Sequence, residues 1–429
     1  MKQIFPVLLF IFLSTNLNAQ LLKRLGDRAK QKMEQKAGEK VDKSIDDATD
    51  GKSKTKTDEG EVKEKTDGNE TKIKTESKGE GIKSFSKYDF VPGEKIVYAE
   101  DFAQDVIGEF PLKWNTNGTG EVVTIEGQPG KWLKMTSDTK YQTPFSNKLP
   151  ENYTVEFDLL LNFKASMRVP DMEFVVFNNT SKTTYPSGLR LFIAPQAGNY
   201  GSGTEQNSID RFRIVSYDNK GQRFLESKDQ LIGELYNNKS KPVHVALWVQ
   251  KERARVWINQ VKIYDLPKAL PSDVALNSFM METGSYGSNS ENYDYYLSNL
   301  KVAIALPDTR SKLITEGKWS TTGILFDVNS DKIKPISYGV LKEIATTLKE
   351  NPDVKVKIIG HTDSDGDETK NLDLSKRRAA SVRIVLTTEF GIDGSRFETD
   401  GLGETKPVSD NNTPEGKANN RRVEFVKNK

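Results

Sequence analysis

The chain of 429 residues contains no cysteine. That absence removes disulfides, thiolate metal sites, a cysteine nucleophile and a lipid-bearing cysteine. Neither sign of charge dominates, since 63 basic side chains face 61 acidic ones for a net charge of +2. So close a balance gives no long-range field for a polyanion, and no nucleic-acid partner is expected. No apolar run reaches the ~20 residues that a membrane-crossing helix needs. Nor does the pattern give the alternating membrane-facing strands with aromatic girdles of an integral barrel. Only two histidines occur, His244 and His361. The mature chain is therefore expected to be soluble, or held by something other than its own helix.

What is present begins at the N-terminus. Lys2 precedes the apolar run Ile4–Leu13, broken only by Pro6, and small or polar residues fill Ser14–Ala19. Residues 1–19 read as a secretory signal cleaved after Ala19. Residues 20–50 carry a thin helical stripe through Leu22, Leu25, Ala29, Met33, Ala37, Val41, Ile45 and Ala48. Such a stripe fits a marginal solvated helix, or an amphipathic helix for self-association or surface docking. Residues 51–95 are expected to be a disordered, charged linker. From 51 to 84 almost nothing is apolar, so burial cannot offset the entropy of ordering.

The character changes over residues 96–306. Short alternating runs such as Tyr153–Leu161, Val243–Gln250 and Tyr295–Ala303 are separated by turn-rich stretches such as Asn115-Thr116-Asn117-Gly118. Many short strands with Gly, Asn and Pro punctuation predict an all-β jelly-roll sandwich. The Trp257-Ile258-Asn259 … Val261-Lys262-Ile263-Tyr264 hairpin resembles those of concanavalin-like lectin and laminin-G domains. That likeness is architectural and does not give function. Trp114, Trp132, Trp248 and Trp257 fit either sugar stacking or core packing. The tyrosine-rich run Tyr286–Tyr296 suits a carbohydrate loop or a strand edge. Glu156, Asp158 and Glu173 fall in strands, with no signature that pairs them as a glycosidase would require. His244 faces away from Val243 and Val245 and reads as an ordinary strand residue.

Residues 307–317 read as a polar connector, and a second domain is expected over 318–429. Its predicted elements are a strand at Ile324–Asp327, a helix at Pro335–Lys349 and a strand at Val354–Gly360. A helix at Leu374–Phe390, a strand at Phe397–Gly401, a short helix opened by Thr413-Pro414-Glu415 and a strand at Arg422–Val426 follow. The fold class is thus multidomain, an all-β jelly-roll sandwich followed by an α/β domain of βαβαβ type.

Four segments carry a resemblance. They are Phe326-Asp327-Val328-Asn329-Ser330, Gly360-His361-Thr362-Asp363, Leu374-Ser375-Lys376-Arg377-Arg378-Ala379 and Asn420-Arg421-Arg422-Val423-Glu424. In this order they resemble the OmpA-like C-terminal domain, which holds peptidoglycan non-covalently. The resemblance implies a ligand, the meso-diaminopimelate side chain of the stem peptide, whose free end bears an ammonium and a carboxylate on one carbon. Asp363 matches the family's ammonium-binding acid and Arg378 its carboxylate-binding base. Arg can fork two hydrogen bonds onto a carboxylate and Lys cannot. Asn371 and Asn329 match positions that line the pocket, and Thr362 is a further candidate. Arg421 and Arg422 are expected to include a structural salt-bridging or sheet-edge residue, with a ligand contact by Arg421 as the alternative.

The run Asp363-Ser364-Asp365-Gly366-Asp367 has alternating oxygens like a calcium loop. Gly366 falls at the fourth position and Leu374 at the twelfth, so the pattern fails and no metal is expected. His361 has no triad or carboxylate pair around it and is read as structural. No catalytic residue and no cofactor is assigned. The expected protein is a non-catalytic, exported envelope protein, periplasmic or outer-membrane-associated in a Gram-negative cell. It grips peptidoglycan and presents the sandwich to a glycan or protein. A hydrolase of cell-wall or other polysaccharide anchored by its last domain is the alternative. A stator-like assembly component whose N-terminal helix self-associates is a third.

Overall fold

The computed structural model describes residues 88–163, 169–195, 210–238, 240–285, 293–304 and 311–428. The signal, the helix expected at 20–50, most of the linker, and Tyr286–Asn292 of the tyrosine run lie outside them.

Alternation builds the first domain. Along Asn152–Phe163, Tyr153, Val155, Phe157, Leu159 and Leu161 point into the core, while Thr154, Glu156 and Asp158 take the opposite face. Val243, Val245, Leu247 and Val249 do the same on the neighbouring strand Val243–Gln250. Two eight-stranded sheets form, with every pairing between their strands antiparallel. In the first sheet the strands Val243–Gln250, Asn152–Phe163 and Tyr293–Ile304 lie side by side. In the second, Met172–Phe177 lies between Gly188–Ala194 and Ser278–Thr283. The sheets share one core, where Phe157 and Phe174 meet with ring centroids 4.7 Å apart. Burying this many aromatic and branched side chains is the main driving force for the two-layer arrangement.

The last domain has four strands in the order Lys318–Thr321, Val423–Lys427, Val356–His361, Phe397–Gly403. Only the last two are parallel neighbours. Helix Tyr338–Glu350 buries Val340, Leu341, Ile344, Ala345 and Leu348 on this sheet. Helix Glu368–Thr388 adds Ala379, Val382 and Leu386. Gly360 is required by this packing, because a Cβ there would lie 2.2 Å from the Ser375 carbonyl oxygen.

Several expectations change. No strand forms at Ile324–Asp327; Phe326 makes only an isolated bridge with Ile333. The first strand of the sheet is Lys318–Thr321, which pairs with the C-terminal strand. The long helix starts at Glu368, not Leu374, because the Asp367 side chain accepts from Lys370 N and caps it there. The loop before it therefore ends at Asp367, and Arg378 sits mid-helix. The connector is less polar in role than in composition, since Ser311–Glu316 forms a π-helical turn that buries Leu313 in the last domain's core.

The linker's last residues are packed. Tyr88 and Phe90 are buried against Ala246 and Trp257, with Trp248 and Ile336 beside them. Asp89 accepts from Trp257 Nε1 at 3.1 Å and pairs with Lys262 at 2.5 Å. Gly339 permits this arm to cross the start of its helix, since a Cβ there would lie 2.0 Å from the Phe90 carbonyl oxygen. A second tie joins the strand Lys95–Glu100 to the short helix Pro414–Asn420. The Asn419 side-chain amide accepts from Ile96 N at 3.0 Å and donates to Ile96 O at 2.8 Å. An amide bonded this way occupies backbone groups that the strand would otherwise leave open.

Candidate functional site

The strand Val356–His361 delivers the loop Thr362–Asp367, and the capped helix then turns back over it. Asp363 is 8% exposed. Its Oδ1 accepts from Asp365 N at 3.2 Å, and its Oδ2 accepts from Arg421 Nη1 at 2.5 Å. Arg378 approaches the same cleft from the helix. Its guanidinium lies over the Phe326 ring at 4.9 Å, and its Nε donates to Ser330 O at 3.0 Å. One face and one nitrogen are thus fixed, while among the described residues no hydrogen bond engages its Nη atoms. Burial lowers the Arg378 pKa from its ordinary value; Asp363 opposes that shift and Arg421 adds to it. The guanidinium stays charged regardless.

The remaining expected residues are also at the cleft. Asn371 has its Nδ2 committed to Asp365 O at 3.0 Å and Glu404 Oε2 at 2.6 Å, so it shapes the loop that carries Asp363. Asn329 is exposed at φ 52, in the turn where Ser330 N donates to Asp327 O. Asn tolerates that left-handed geometry better than most residues. Thr362 is buried, and its Oγ1 has no hydrogen-bond partner among the described residues. Asp365 pairs with Lys417 at 2.7 Å and Asp367 caps the helix, so these two of the three carboxylates in the calcium-like run have structural work.

Arg422 and Arg421 divide their roles. Arg422 is buried with Glu424, at 2.7 Å. Burial alone would raise the Glu424 carboxyl. The contacts with Lys318 at 2.8 Å and Arg422 at 2.7 Å, with His361 Nε2 3.6 Å away, outweigh it and hold the carboxyl well below the usual range. Arg421 instead faces the cleft on Asp363. The Asn-Arg-Arg segment carried the signal, but which Arg pairs with which acid depends on the turn at the end of Pro414–Asn420.

The first domain supplies what sequence reasoning missed. On the outer face of its first sheet, His244 Nδ1 meets Asp158 Oδ1 at 2.7 Å and its Nε2 meets Glu156 Oε2 at 3.2 Å. Asn299 Nδ2 donates to Asp158 Oδ2 at 2.8 Å. Burial works against the imidazolium, yet the bonds to Asp158 and Glu156 outweigh it and push the pKa up to about 9. Burial likewise works against both carboxylates, but bonds from His244, with Lys301 nearby, hold each below its ordinary value. Alternation put Glu156 and Asp158 on one face; their meeting with His244 required the strand register. Glu173 lies on the other sheet, with Arg190 at 2.8 Å. Trp114, Trp132 and Trp257 are buried, and Trp248 lies between Trp257 and the Arg255 guanidinium.

Asp363, Arg378, Asp158 and His244 all line one cleft of about 700 Å³. A small α/β domain that brings a carboxylate and a guanidinium to a shared cleft is the class of unit the last domain defines. The chain belongs to the OmpA family, whose model matches residues 325–421. It is 38% identical over 166 residues to outer-membrane lipoprotein YfiB of Pseudomonas aeruginosa, covering 38% of this chain and 97% of that one. It is 46% identical over 101 residues to outer membrane porin F of the same species, covering 24% of this chain and 29% of that one. Peptidoglycan-binding protein ArfA of Mycobacterium tuberculosis is 42% identical over 105 residues, covering 24% of this chain and 32% of that protein. The chain thus spans nearly all of YfiB but about a third of the length of porin F and ArfA.

Proposed function

We propose that this protein binds peptidoglycan non-covalently through its last domain, with the free end of diaminopimelate as the gripped group. The observation that carries the reading is the presentation of Arg378. Phe326 and Ser330 hold it in place while its Nη atoms remain available for a bidentate carboxylate contact. Asp363 takes the ligand ammonium on the opposite side, sharing its charge with Arg421. Asn371 holds the Asp363 loop, and Asn329 and Thr362 complete the pocket rim. The similarity to the peptidoglycan-binding protein ArfA and membership of the OmpA family support the same reading.

The role is that of a non-catalytic anchor in a Gram-negative envelope, exported by residues 1–19 and tethered by the charged segment that follows. The names of porin F and YfiB support an outer-membrane setting. We read the sandwich as concanavalin-like. The Glu156–Asp158 pair does not suit a glycosidase acid and base. Hydrolysis needs one carboxyl held protonated as the acid, whereas Glu156 and Asp158 are both held ionised on one imidazolium.

Co-sedimentation with purified sacculi tests the reading. Wild type should pellet, and Asp363→Ala and Arg378→Ala should stay in the supernatant while still melting cooperatively. Pelleting by both folded variants would refute the site.

A further inference from the structure

The cleft beside Asp363 and Arg378 has a second wall, and the sandwich builds it. His244 stands opposite Asp158 on the adjacent strand, and Asp158 stands opposite Ser298 on the next. The register breaks between Ser298 and Lys301, where Asn299 adopts φ 53. This bulge turns the Asn299 amide onto Asp158 and brings Lys301 opposite Glu156. The acids are engaged by His244; Lys301 lies near enough to favour their charged forms, yet among the described residues no contact within 4.0 Å pairs it with either. Asp158, His244, Asn299 and Lys301 line the same cleft as the two clamp residues.

Two features argue that this wall meets ligand. Its position is fixed, because Asn419 ties the strand Lys95–Glu100 to the last domain and the Tyr88–Phe90 arm packs across both domains. The cleft is also larger than the clamp requires. About 700 Å³ lies within the ~300–1,000 Å³ of pockets that enclose a whole small molecule. The free end of one amino acid leaves most of it open.

We propose that the sandwich wall is a second subsite for the same cell-wall ligand, with Lys301 taking a further carboxylate of the stem peptide and Asn299 a peptide carbonyl. The sandwich thereby sets specificity for the peptide beyond the clamped end. This rests on the clamp reading of Asp363 and Arg378.

The test is calorimetric titration of the full mature chain with two probes, free meso-diaminopimelate and a muropeptide with an intact stem. Variants are Lys301→Met, which keeps the stem's bulk, and Asn299→Gly, which keeps the positive φ. Lys301→Met should weaken muropeptide binding about tenfold, the effect of losing one charged hydrogen bond. It should leave free diaminopimelate within about twofold of wild type. Asp363→Ala should lose both probes. Wild-type muropeptide affinity in both Lys301→Met and Asn299→Gly, with Asp363→Ala inactive, would overturn the second wall and leave the clamp standing. Retention of both probes by Asp363→Ala would overturn the clamp reading, and this inference with it.

Discussion

Replacing His244 by Gln should remove a pH-dependent part of the protein's stability. The imidazole sits between Asp158 and Glu156 at 2.7 and 3.2 Å, and its pKa rises from 6.5 to about 9. A raised histidine pKa contributes stability that is fully present below 6.5 and is lost as pH climbs through 9. With ~1.4 kcal/mol per unit, the contribution at pH 7 is about 2–3 kcal/mol. The two carboxylates act in the other direction. Their lowered values give stability present above their unfolded pKa values and lost as pH falls through the folded ones. The cluster should therefore be most stabilising between roughly pH 5 and 6.5. Urea unfolding at pH 6, 7.5 and 9 measures this. Wild type should lose stability across the series, and His244→Gln should be weaker at pH 6 and fall less steeply, since the Glu100 cost is common to both proteins. The chain has only two histidines, so imidazole NMR of wild type and His244→Gln assigns the titration directly. Parallel stability profiles for both proteins, or a His244 midpoint near 6.5, would refute the reasoning.

Burial pushes the Glu100 carboxyl up to about 7, against the bonds it accepts from Phe102 N and Trp114 Nε1. An acid raised in this way costs stability as pH rises from about 4.5 to 7, so Glu100→Gln should gain up to roughly 2–3 kcal/mol at pH 8 and little at pH 4. Thermal melts at the two pH values check this. Asp367→Ala removes the cap of the helix that carries Arg378 and should cost ~0.5–2 kcal/mol in urea titration. Gly339→Val would drive a side chain into the Phe90 carbonyl and should cost ~1–3 kcal/mol. Limited proteolysis should then cut near residues 88–94, and an unchanged digest would count against the docked arm.

Much of the architecture was legible because one face of each strand had to be apolar. The stretch Val243–Gln250 alternates, and so does Asn152–Phe163, and both form central strands. Thr413 and Pro414 marked a helix start that the structure keeps, with Thr413 Oγ1 accepting from Gly416 N. Local signals failed where a non-local partner decided. Lys318–Thr321 is a strand because the C-terminal strand supplies its ladder, and Tyr88 and Phe90 are ordered because two tryptophans and Ala246 cover them. The motif segments indicated Asp363 and Arg378, whose cleft the structure adds. Arg421 on Asp363, and His244 between two acids, depend on turns and register that no single segment encodes.

In the proposed grip, Arg378 receives a carboxylate while Asp363 receives the adjoining ammonium. Calorimetric titration with two muropeptides, one carrying diaminopimelate and one carrying lysine, tests this most directly, because lysine has the ammonium but lacks that carboxylate. Wild type should prefer the diaminopimelate form by about tenfold or more, and Arg378→Ala should bind both equally weakly. Equal affinity of wild type for the two muropeptides would contradict a carboxylate contact at Arg378.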